Sequence, residues 1–546
     1  AETKGDYGNV QLKSSNIRGL LNYQANNAQA ESYTDKQVKK YIRKKPAALQ
    51  KWMQKHSSDE SGYESALERQ ARYLMAKQAK KKTRVNSIEG IKRLNDYELR
   101  IYTTGYDSRF EEKLQIPICP LHYYGDTTKY SYNANKFGFK RGDLSAIRAN
   151  KSSPVGAGAY RFVKYDSGIA YFMANELYYQ GCPKITYVQL KDLTKLFKDE
   201  DLTGAKIADE MKGQTVDVAS LALTQSDLEA IGEINGNGKM SGNEINTCQS
   251  ANASYAYWGL NPYRVCINNE PFSEQSAALR HAIAMVVSAC RGVQMETEGA
   301  KLTSVNAQAA KDSWLSPEQP NKDKLCYAET PDGKEQIYKT DDAVDQKREE
   351  AQQTALKWLE KAGYTVEDGK VTAAPAGAKT LFSMELAGGT DTVGYQLATA
   401  VASDLQGIGI TIQIHTTTVD KLNKKVANLR RGNVFAKKSS ITLWYAEEEM
   451  SSNPDLAERF AFLENAELMK AINKSDQTIN KEKQKKWTQK AFDEIYAMTV
   501  EVPVHQKSTT MLYSSSRIRS KTMTKNTTMF YSWMREIQNI DMQAEN

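Results

Sequence analysis

Residues 154–162, Pro-Val-Gly-Ala-Gly-Ala-Tyr-Arg-Phe, contain the most informative pattern of this chain, a turn followed at once by a strand. Proline fixes the backbone φ angle and glycine frees it, so the first five residues predict a turn. From Tyr160 to Tyr165, alternation with period two predicts a half-buried strand. The glycines do not continue as G-x-G-x-x-G and they open a strand rather than a helix, so no dinucleotide site is expected.

Strands and helices alternate on both sides of this stretch. The same period-two pattern predicts strands at 97–102 and 185–190. Apolar periodicity and capping residues predict helices at 276–290, 346–362 and 392–406. The last helix leads into a predicted strand at 410–414, and a strand, a helix and a further strand form the unit of α/β domains. The expected fold class is therefore α/β.

Residues 1–87 differ from the rest because they are polar, rich in lysine and glutamine, and helical in pattern. We predict one helix capped at Thr34 and running towards Pro46, a second at 47–55 and a third at 64–80. The third ends in the run Lys80-Lys81-Lys82-Thr83-Arg84. Such a run is typical of a solvated helix end favoured by the helix dipole, or of a patch for nucleic acid or an anionic membrane.

Bulk composition narrows the classes of protein. The 546 residues are enough for three or four domains, and no run approaches the ~18 apolar residues of a membrane-spanning helix. The net charge of +8 is small for this length, with both signs interspersed, so nucleic acid is not an expected partner. The first residues are not typical of a signal peptide, which indicates a removed targeting segment or a longer polypeptide.

The cysteines and histidines give little indication of a metal site or a catalytic site. The six cysteines form no C-x-x-C pair, so a structural zinc site is not expected. One disulfide is plausible in an extracellular protein, for instance between Cys248 and Cys266, whereas Cys119 and Cys290 lie in apolar sequence and are expected to be buried. The histidines are scattered, and no nucleophile, zinc-protease or phosphate-loop motif occurs. We therefore expect no enzyme, no catalytic residue, no metal and no cofactor.

Several segments together resemble the oligopeptide, dipeptide and nickel class of solute-binding proteins (family 5 type) that serve ABC importers. Each is short, but their order and spacing match the family from residue 87 onwards. The segments are SIEGI (87–91), DYEL (96–99), IPICP (116–120), PVGAGAYRF (154–162), ANELYY (174–179), PKI (183–185), MKGQTVD (211–217), NEPFS (269–273), LEKAGY (359–364), DLQGIGI (404–410) and VPVH (502–505).

The resemblance implies a two-lobed, periplasmic-binding-protein-like clamshell with mixed sheets, here preceded by a helical N-terminal segment. The implied regions are the helical segment (1–87), part of an accessory lobe (88–150), lobe I (151–262), lobe II (263–505) and a C-terminal return to lobe I (506–546). Residues 1–87 do not resemble the strands with which the family begins. Lobe I is therefore expected to be incomplete, completed by upstream sequence, or rebuilt differently.

The resemblance also implies where a ligand is held. In peptide-binding members an acidic residue shortly after a tryptophan pairs with the ammonium of the peptide, and the matching stretch here is Leu443-Trp444-Tyr445-Ala446-Glu447-Glu448-Glu449. Glu447 is the expected carboxylate, with Glu448 or Glu449 as substitutes, unless the three form only an exposed acidic loop. Trp444 and Tyr445 are expected to line the ligand cleft, or Trp444 fills the core.

A second aromatic set lies near the expected crossing between the lobes. Tyr255, Tyr257 and Trp258 are expected to stack on a ligand, although packing inside the protein would leave the same pattern. As implied partners we expect a peptide or another small solute and the membrane permease subunits of an ABC importer, with no nucleic acid.

The expected function is an extracellular receptor that captures solute for import. The chain is expected to be a monomer at the cell surface, anchored as a lipoprotein through a segment outside it. An alternative is a ligand sensor or interaction module that uses the same fold without transport. A DNA-binding regulator would need a recognition helix within 1–87, where no compact pattern of this kind is evident.

Overall fold

The computed structural model of the chain covers most of its length. The described residues are 15–56, 63–108, 110–114, 118–134, 136–138, 143, 145–150, 154–193, 203–252, 254–298, 302–309, 313–316, 326–339, 342–390, 392–449, 455–460, 462–525, 527–528 and 531–543. The chain divides into two compact units, Ala1–Leu196 with Asp476–Asn480 and Phe197–Ser475 with Lys481–Asn546.

The first unit begins with four helices. They are α1 (Leu20–Ala25), α2 (Asp35–Arg43), α3 (Ala47–His56) and α4 (Tyr63–Gln78). Each of the first three packs against α4, and Val38, Leu49 and Ala71 form a buried cluster where α2 and α3 meet it. The predicted helical segment is confirmed, and α1 is an addition to it.

The start of α2 shows why the sequence predicts it well. The Thr34 side chain accepts a hydrogen bond from the Gln37 amide, and the Gln37 side chain accepts one from the Thr34 amide at 2.8 Å. This capping box satisfies backbone donors that a helix start otherwise leaves unpaired. The local residues therefore fix the first residue of the helix.

The rest of the first unit consists of short elements. They are the antiparallel ribbon of β1 (Ile91–Arg93) and β2 (Leu99–Ile101), α5 (Phe110–Lys113), α6 (Leu121–Tyr124), the ribbon of β3 (Tyr130–Ser131) and β4 (Lys136–Phe137), α7 (Ser145–Ala149), and the antiparallel sheet of β5 (Tyr160–Asp166), β6 (Ile169–Ala174) and β7 (Tyr187–Lys191). The strand predicted from Tyr160 is confirmed, but it is not half-buried along its length, because Val163 and Tyr165 are exposed. The half-buried strand predicted at 97–102 is wrong in its burial, because a two-stranded ribbon has no covering layer of its own and Leu99 stays exposed.

The second unit is built on one mixed sheet of eight strands. Its members are β8 (Val218–Leu221), β9 (Ile245–Ala251), β10 (Ser254–Leu260), β11 (Leu302–Ser304), β14 (Leu381–Ala387), β15 (Thr411–Thr417), β16 (Leu443–Glu449) and β17 (Glu501–Ser514), besides a separate ribbon of β12 (Thr365–Glu367) and β13 (Lys370–Ala373). The order is β11-β17-β10-β16-β14-β15, and β8 and β9 pair with β17. The β14–β15 and β14–β16 pairs are parallel, whereas β10 runs antiparallel to both of its neighbours.

Ten helices accompany this sheet in the described residues. They are α8 (Gly204–Lys212), α9 (Gln225–Ile234), α10 (Glu274–Glu298), α11 (Val344–Lys361), α12 (Val393–Gly407), α13 (Val419–Arg430), α14 (Asn433–Lys438), α15 (Leu456–Phe460), α16 (Ala466–Asp476) and α17 (Lys481–Met498). The crossover β14–α12–β15 confirms the predicted strand–helix–strand unit. Among the described helices, none is long and apolar enough to cross a membrane.

The sheet separates two hydrophobic cores. Along β10, Trp258 contributes to the core formed with α10 to α12, whereas Tyr257 contributes to the core formed with α13 to α17. The two cores follow from the alternation of side chains along a strand, since both faces of the sheet are covered.

Strand β17 changes its pairing partner along its length. Residues 501–505 pair with β10, and residues 508–514 pair with β9. The boundary predicted between residues 505 and 506 lies close to the point where β17 changes its partner. The assignment of the predicted regions to two lobes remains a prediction.

All six cysteines lie in the described part of the chain, and none forms a disulfide. The Cys248–Cys266 bridge is wrong for this structure, because the Cys248 thiol donates instead to the Lys525 carbonyl at 3.2 Å. Cys290 is buried as expected. Cys119 is exposed, against expectation, because it lies outside the helices and strands, two residues before α6 begins.

Candidate ligand-binding site

Two neighbouring strands of the second unit carry all six residues predicted to bind ligand. In the register of β10 and β16, Ala256 lies opposite Glu447 and Trp258 lies opposite Tyr445. Since successive side chains of a strand point to opposite faces, the six residues do not share one surface. One face, here called the tyrosine face, carries Tyr255, Tyr257 and Trp444. The other, the glutamate face, carries Trp258, Tyr445 and Glu447.

The tyrosine face is packed and hydrogen-bonded inside the protein. The Trp444 indole Nε1 donates to the Tyr257 hydroxyl at 3.1 Å, and Arg430 donates to the same oxygen at 2.9 Å. The two rings meet edge to face with centroids 6.4 Å apart. Both side chains are buried, so this part of the sheet contributes to the core that α13 to α17 cover.

Tyr255 belongs to a buried charged cluster on the same face. Its hydroxyl donates to Glu501 Oε1 at 2.7 Å, and Arg459 donates both to that hydroxyl at 2.7 Å and to Glu501 Oε2 at 2.6 Å. Burial raises the pKa of Tyr255 well above its usual value. The cluster joins β10, β17 and α15, and the role of the tyrosine face in ligand binding stays a prediction.

The glutamate face is buried at one end. Trp258 is fully buried and Tyr445 nearly so, and the Tyr445 hydroxyl lies 3.4 Å from Nε2 of His505. Burial lowers the pKa of His505 to about 3, and the positive charges of Lys507 and Arg291 act in the same direction. His505 is therefore neutral near pH 7.

The other end of the glutamate face is open and charged. Glu447 forms an ion pair with Lys507, and their side chains are 43% and 40% exposed. Ala256 of β10 lies between Glu447 and His505 in the sheet, and Lys507 follows His505 by two residues, so both charged side chains lie on one face. Of the six predicted residues, Glu447 offers an accessible charged group in this structure.

Exposure makes this ion pair easy to exchange. Pairs between exposed side chains stabilise a protein by about 0–1 kcal/mol, because water solvates both charges well. A ligand cation that brings further contacts can therefore displace the Lys507 ammonium from Glu447. The geometry suits a group that carries a positive charge, such as the terminal ammonium of a peptide.

The acidic run after Trp444 is part of the sheet. Glu447 to Glu449 are the last residues of β16, with Glu448 opposite Tyr255, so the interpretation as an acidic loop is wrong for the backbone. The three glutamates form a strand rather than a loop because each of them pairs with a residue of β10. The side chains of Glu448 and Glu449 lie outside the described part, and both stay open as substitutes for Glu447.

Lys507 and His505 were not among the residues predicted from sequence. A register shift between β10 and β17 places His505 opposite Ala256 while Val502 lies opposite Trp258, so simple alternation along β17 does not predict the face on which His505 lies. No pattern in the sequence gives the register of β17 against β10 and β16, and this register brings Lys507 to Glu447.

Groups of three or more side chains suited to hold a metal ion are absent from the described residues. Outside the sheet, His281 stacks on Trp358 with ring centroids 3.9 Å apart, and burial lowers its pKa to about 3.

A comparison with models of protein families gives one match that covers most of the chain. Residues 46–447 match the model of the bacterial extracellular solute-binding proteins, family 5 Middle. The chain belongs to this family. The membership expected from sequence is confirmed, and the matched family consists of binding proteins.

Solved structures share the fold of this family 5 solute-binding protein at low identity. The substrate-binding protein CtaP of an ABC transporter from Listeria monocytogenes has 12% identity and a TM-score of 0.53 over 83% of this chain and 77% of its own. NikA from Brucella suis, in complex with Fe(III)-EDTA, has 13% identity and a TM-score of 0.53 over 83% and 78%. Lactococcal OppA, with an endogenous peptide, has 12% identity and a TM-score of 0.51 over 84% and 77%.

These matches confirm the α/β class with mixed sheets. A search of curated proteins gives no match.

Proposed function

We propose that this protein captures peptides through their free amino terminus and delivers them to the permease of an ABC importer. The single observation that carries the proposal is the accessible Glu447 carboxylate at the end of β16. It follows Trp444 in the chain at the spacing that the resemblance implies for the ammonium-binding carboxylate.

The chemistry of the pair explains how capture would proceed. In the absence of a peptide, Lys507 neutralises Glu447, so no carboxylate is left unpaired at the site. A peptide ammonium would take the place of the Lys507 ammonium, and the peptide backbone would add hydrogen bonds that lysine does not supply. A charge-assisted hydrogen bond contributes about 1.5–3 kcal/mol, more than the exposed ion pair it replaces.

The surrounding structure supports a fixed position for this carboxylate. β16 is hydrogen-bonded to β10 as far as Glu449, and Trp258 and Tyr445 are packed in the core on the same face of the sheet as Glu447. A binding group on a strand with packed neighbours is held more precisely than one on a loop. The two open acidic neighbours, Glu448 and Glu449, are the alternative partners for the ammonium.

The matched structures support a peptide as the first choice of ligand and a chelate as the second. Lactococcal OppA was solved in complex with an endogenous peptide, and NikA from Brucella suis in complex with Fe(III)-EDTA. A carboxylate beside a displaceable lysine favours a ligand with an ammonium group, which a peptide has and that chelate lacks.

Mass spectrometry of the ligand that co-purifies with the full chain tests this function. The protein is expressed in its mature form, washed, and unfolded with acid, and the released small molecules are analysed. We expect short peptides with free amino termini, enriched over the same protein unfolded and washed before the release step. Release of a sugar or a metal chelate, or of no peptide above that control, would contradict peptide capture.

A further inference from the structure

The positive charge of this protein is concentrated in its first 87 residues. They contain 18 lysines and arginines and 8 aspartates and glutamates, a net charge of +10, while the whole chain carries +8. Residues 88–546 therefore carry a net charge of −2, and the interspersed charge expected from overall composition is wrong for this segment. A local excess of this size produces a field that the rest of the protein does not share.

Much of this charge lies on one face of α2. The side chains of Lys36, Lys39, Lys40 and Arg43 are exposed, and their spacing of three, one and three residues puts them on one side of the helix. Val38 is buried on the opposite side. The face therefore presents four cations to solvent while the helix stays anchored through its apolar side.

A second group of cations lies next to the end of this face. The hydroxyl of Tyr41 donates to the side-chain oxygen of Gln78 at 3.0 Å, which brings the last turn of α2 against the last turn of α4. Further exposed cations follow each of these turns. We call the ten exposed side chains together the basic patch: Lys36, Lys39, Lys40, Arg43, Lys44, Lys45, Lys80, Lys81, Lys82 and Arg84.

Two carboxylates of the same segment have partners outside the basic patch. Asp35 pairs with Arg72 at 2.5 Å, at the other end of α2. Glu31 accepts hydrogen bonds from the backbone amides of Gly19 and Leu21. Among the described residues, no ion pair to a carboxylate involves a side chain of the basic patch. The patch therefore keeps its charge for an external partner.

We infer that the basic patch is a docking surface for an anionic phospholipid membrane. A protein of an extracellular bacterial family works outside the cell, where a membrane surface is the extended anionic partner at hand. Eight of the ten cations are lysines, whose compact ammonium groups suit a diffuse layer of headgroups, whereas arginine forks suit bidentate recognition of single phosphates. Docking would keep the receptor near its permease, and it does not depend on which solute is captured.

The range of the family match also indicates that the basic patch and the solute-binding site are distinct. The matched range begins at residue 46, so α2 and the cations up to Lys45 precede it. The patch also belongs to the first compact unit, whereas Glu447 and Lys507 belong to the second.

Co-sedimentation of the full chain with lipid vesicles tests this inference. One set of vesicles contains phosphatidylglycerol and phosphatidylcholine, and the other contains phosphatidylcholine alone. We expect binding to the first set, falling steeply as sodium chloride is added, because salt screens charges beyond about 8–10 Å. The variant with Lys36→Gln, Lys39→Gln, Lys40→Gln and Arg43→Gln is expected to bind at least tenfold more weakly, since each basic residue contributes separately to the attraction.

A matched control removes the same number of charges elsewhere. Lys421, Lys424, Lys438 and Lys486 are exposed in the second unit, and replacing all four by glutamine is expected to leave vesicle binding within twofold of the unmodified protein. Circular dichroism establishes that both variants keep their helices.

Equal binding to both sets of vesicles, or equal loss in both variants, would overturn the inference. Tighter binding to duplex DNA than to the anionic vesicles at the same ionic strength would also overturn it, since the surface would then suit nucleic acid. Peptide binding by the α2 variant is expected to be unchanged, so failure of this inference and failure of the proposed function are distinguishable.

Discussion

At the scale of single residues, Gly259 shows how closely the candidate site is packed. It lies opposite Trp444 in the sheet, and a methyl group at Gly259 would overlap the indole ring. The ring itself is held by the hydrogen bond of its Nε1 to Tyr257. The strand is paired on both sides and the ring is held by its hydrogen bond. Only glycine, which has no side chain, therefore fits at position 259 without a clash.

The substitution Gly259→Ala is therefore expected to lower the free energy of unfolding by about 1–3 kcal/mol, the usual cost of overpacking a core. Urea denaturation followed by tryptophan fluorescence measures it. Gly156→Ala is the matched control, because a methyl group there meets no atom within 4 Å. Equal stability of the two variants would show that Trp444 is not held as described.

The residues of the candidate site are easier to predict from sequence than their positions in the sheet. The resemblance to the family points to Trp444 and Glu447, and the Glu447 carboxylate is exposed in the structure, as a ligand-binding group must be. The division of six residues between two faces follows from strand alternation, but only once both strands and their register are known. Lys507 lies 60 residues from Glu447 in the chain, and such a pairing leaves no local pattern.

At the scale of elements, local chemistry decides which boundaries are predictable. Helix α2 begins where its capping box predicts, and α12 begins after Thr392, whose hydroxyl accepts from the Tyr395 amide. The strand predicted at 185–190 instead runs from Tyr187 to Lys191, because strand ends depend on pairing with β6 rather than on a cap. Helix limits are set by adjacent residues, and strand limits are set by partners distant in the chain.

Strand β17 is the element that sequence could not resolve. Its 14 residues pair with β10 and β11 in one half and with β8 and β9 in the other. The predicted segments 263–505 and 506–546 divide it into two regions. Polar and apolar side chains are mixed along it and almost every residue is buried, so the strand shows no alternation from which its two sets of partners can be deduced.

At the scale of the whole molecule, two buried histidines couple stability to pH. Burial lowers the pKa of His281 and of His505 from 6.5 to about 3. Between these values the unfolded chain binds a proton at each histidine and the folded chain does not, so stability falls as the pH is lowered from about 6.5 towards 3. Each histidine contributes a slope of up to about 1.4 kcal/mol per pH unit.

The variant His281→Phe tests this coupling, since phenylalanine keeps the stacking on Trp358 and does not titrate. Melting temperatures at pH 7 and pH 4 are compared by calorimetry. We expect the drop between the two to be smaller in the variant than in the unmodified protein. A drop of the same size in both would show that His281 is protonated as readily in the folded chain as in the unfolded one.

The central claim, that Glu447 holds the ammonium of a captured peptide, is tested most directly by titration calorimetry of a tripeptide and its N-acetylated form. Glu447→Gln is expected to weaken binding of the free-amine peptide about tenfold to hundredfold and to leave the acetylated peptide unchanged. Lys507→Gln is expected to strengthen binding of the free-amine peptide, because no lysine then competes for the carboxylate. Glu367→Gln, on the exposed β12–β13 ribbon, is the control. Equal loss of both peptides in Glu447→Gln, or no loss of either, would contradict the account.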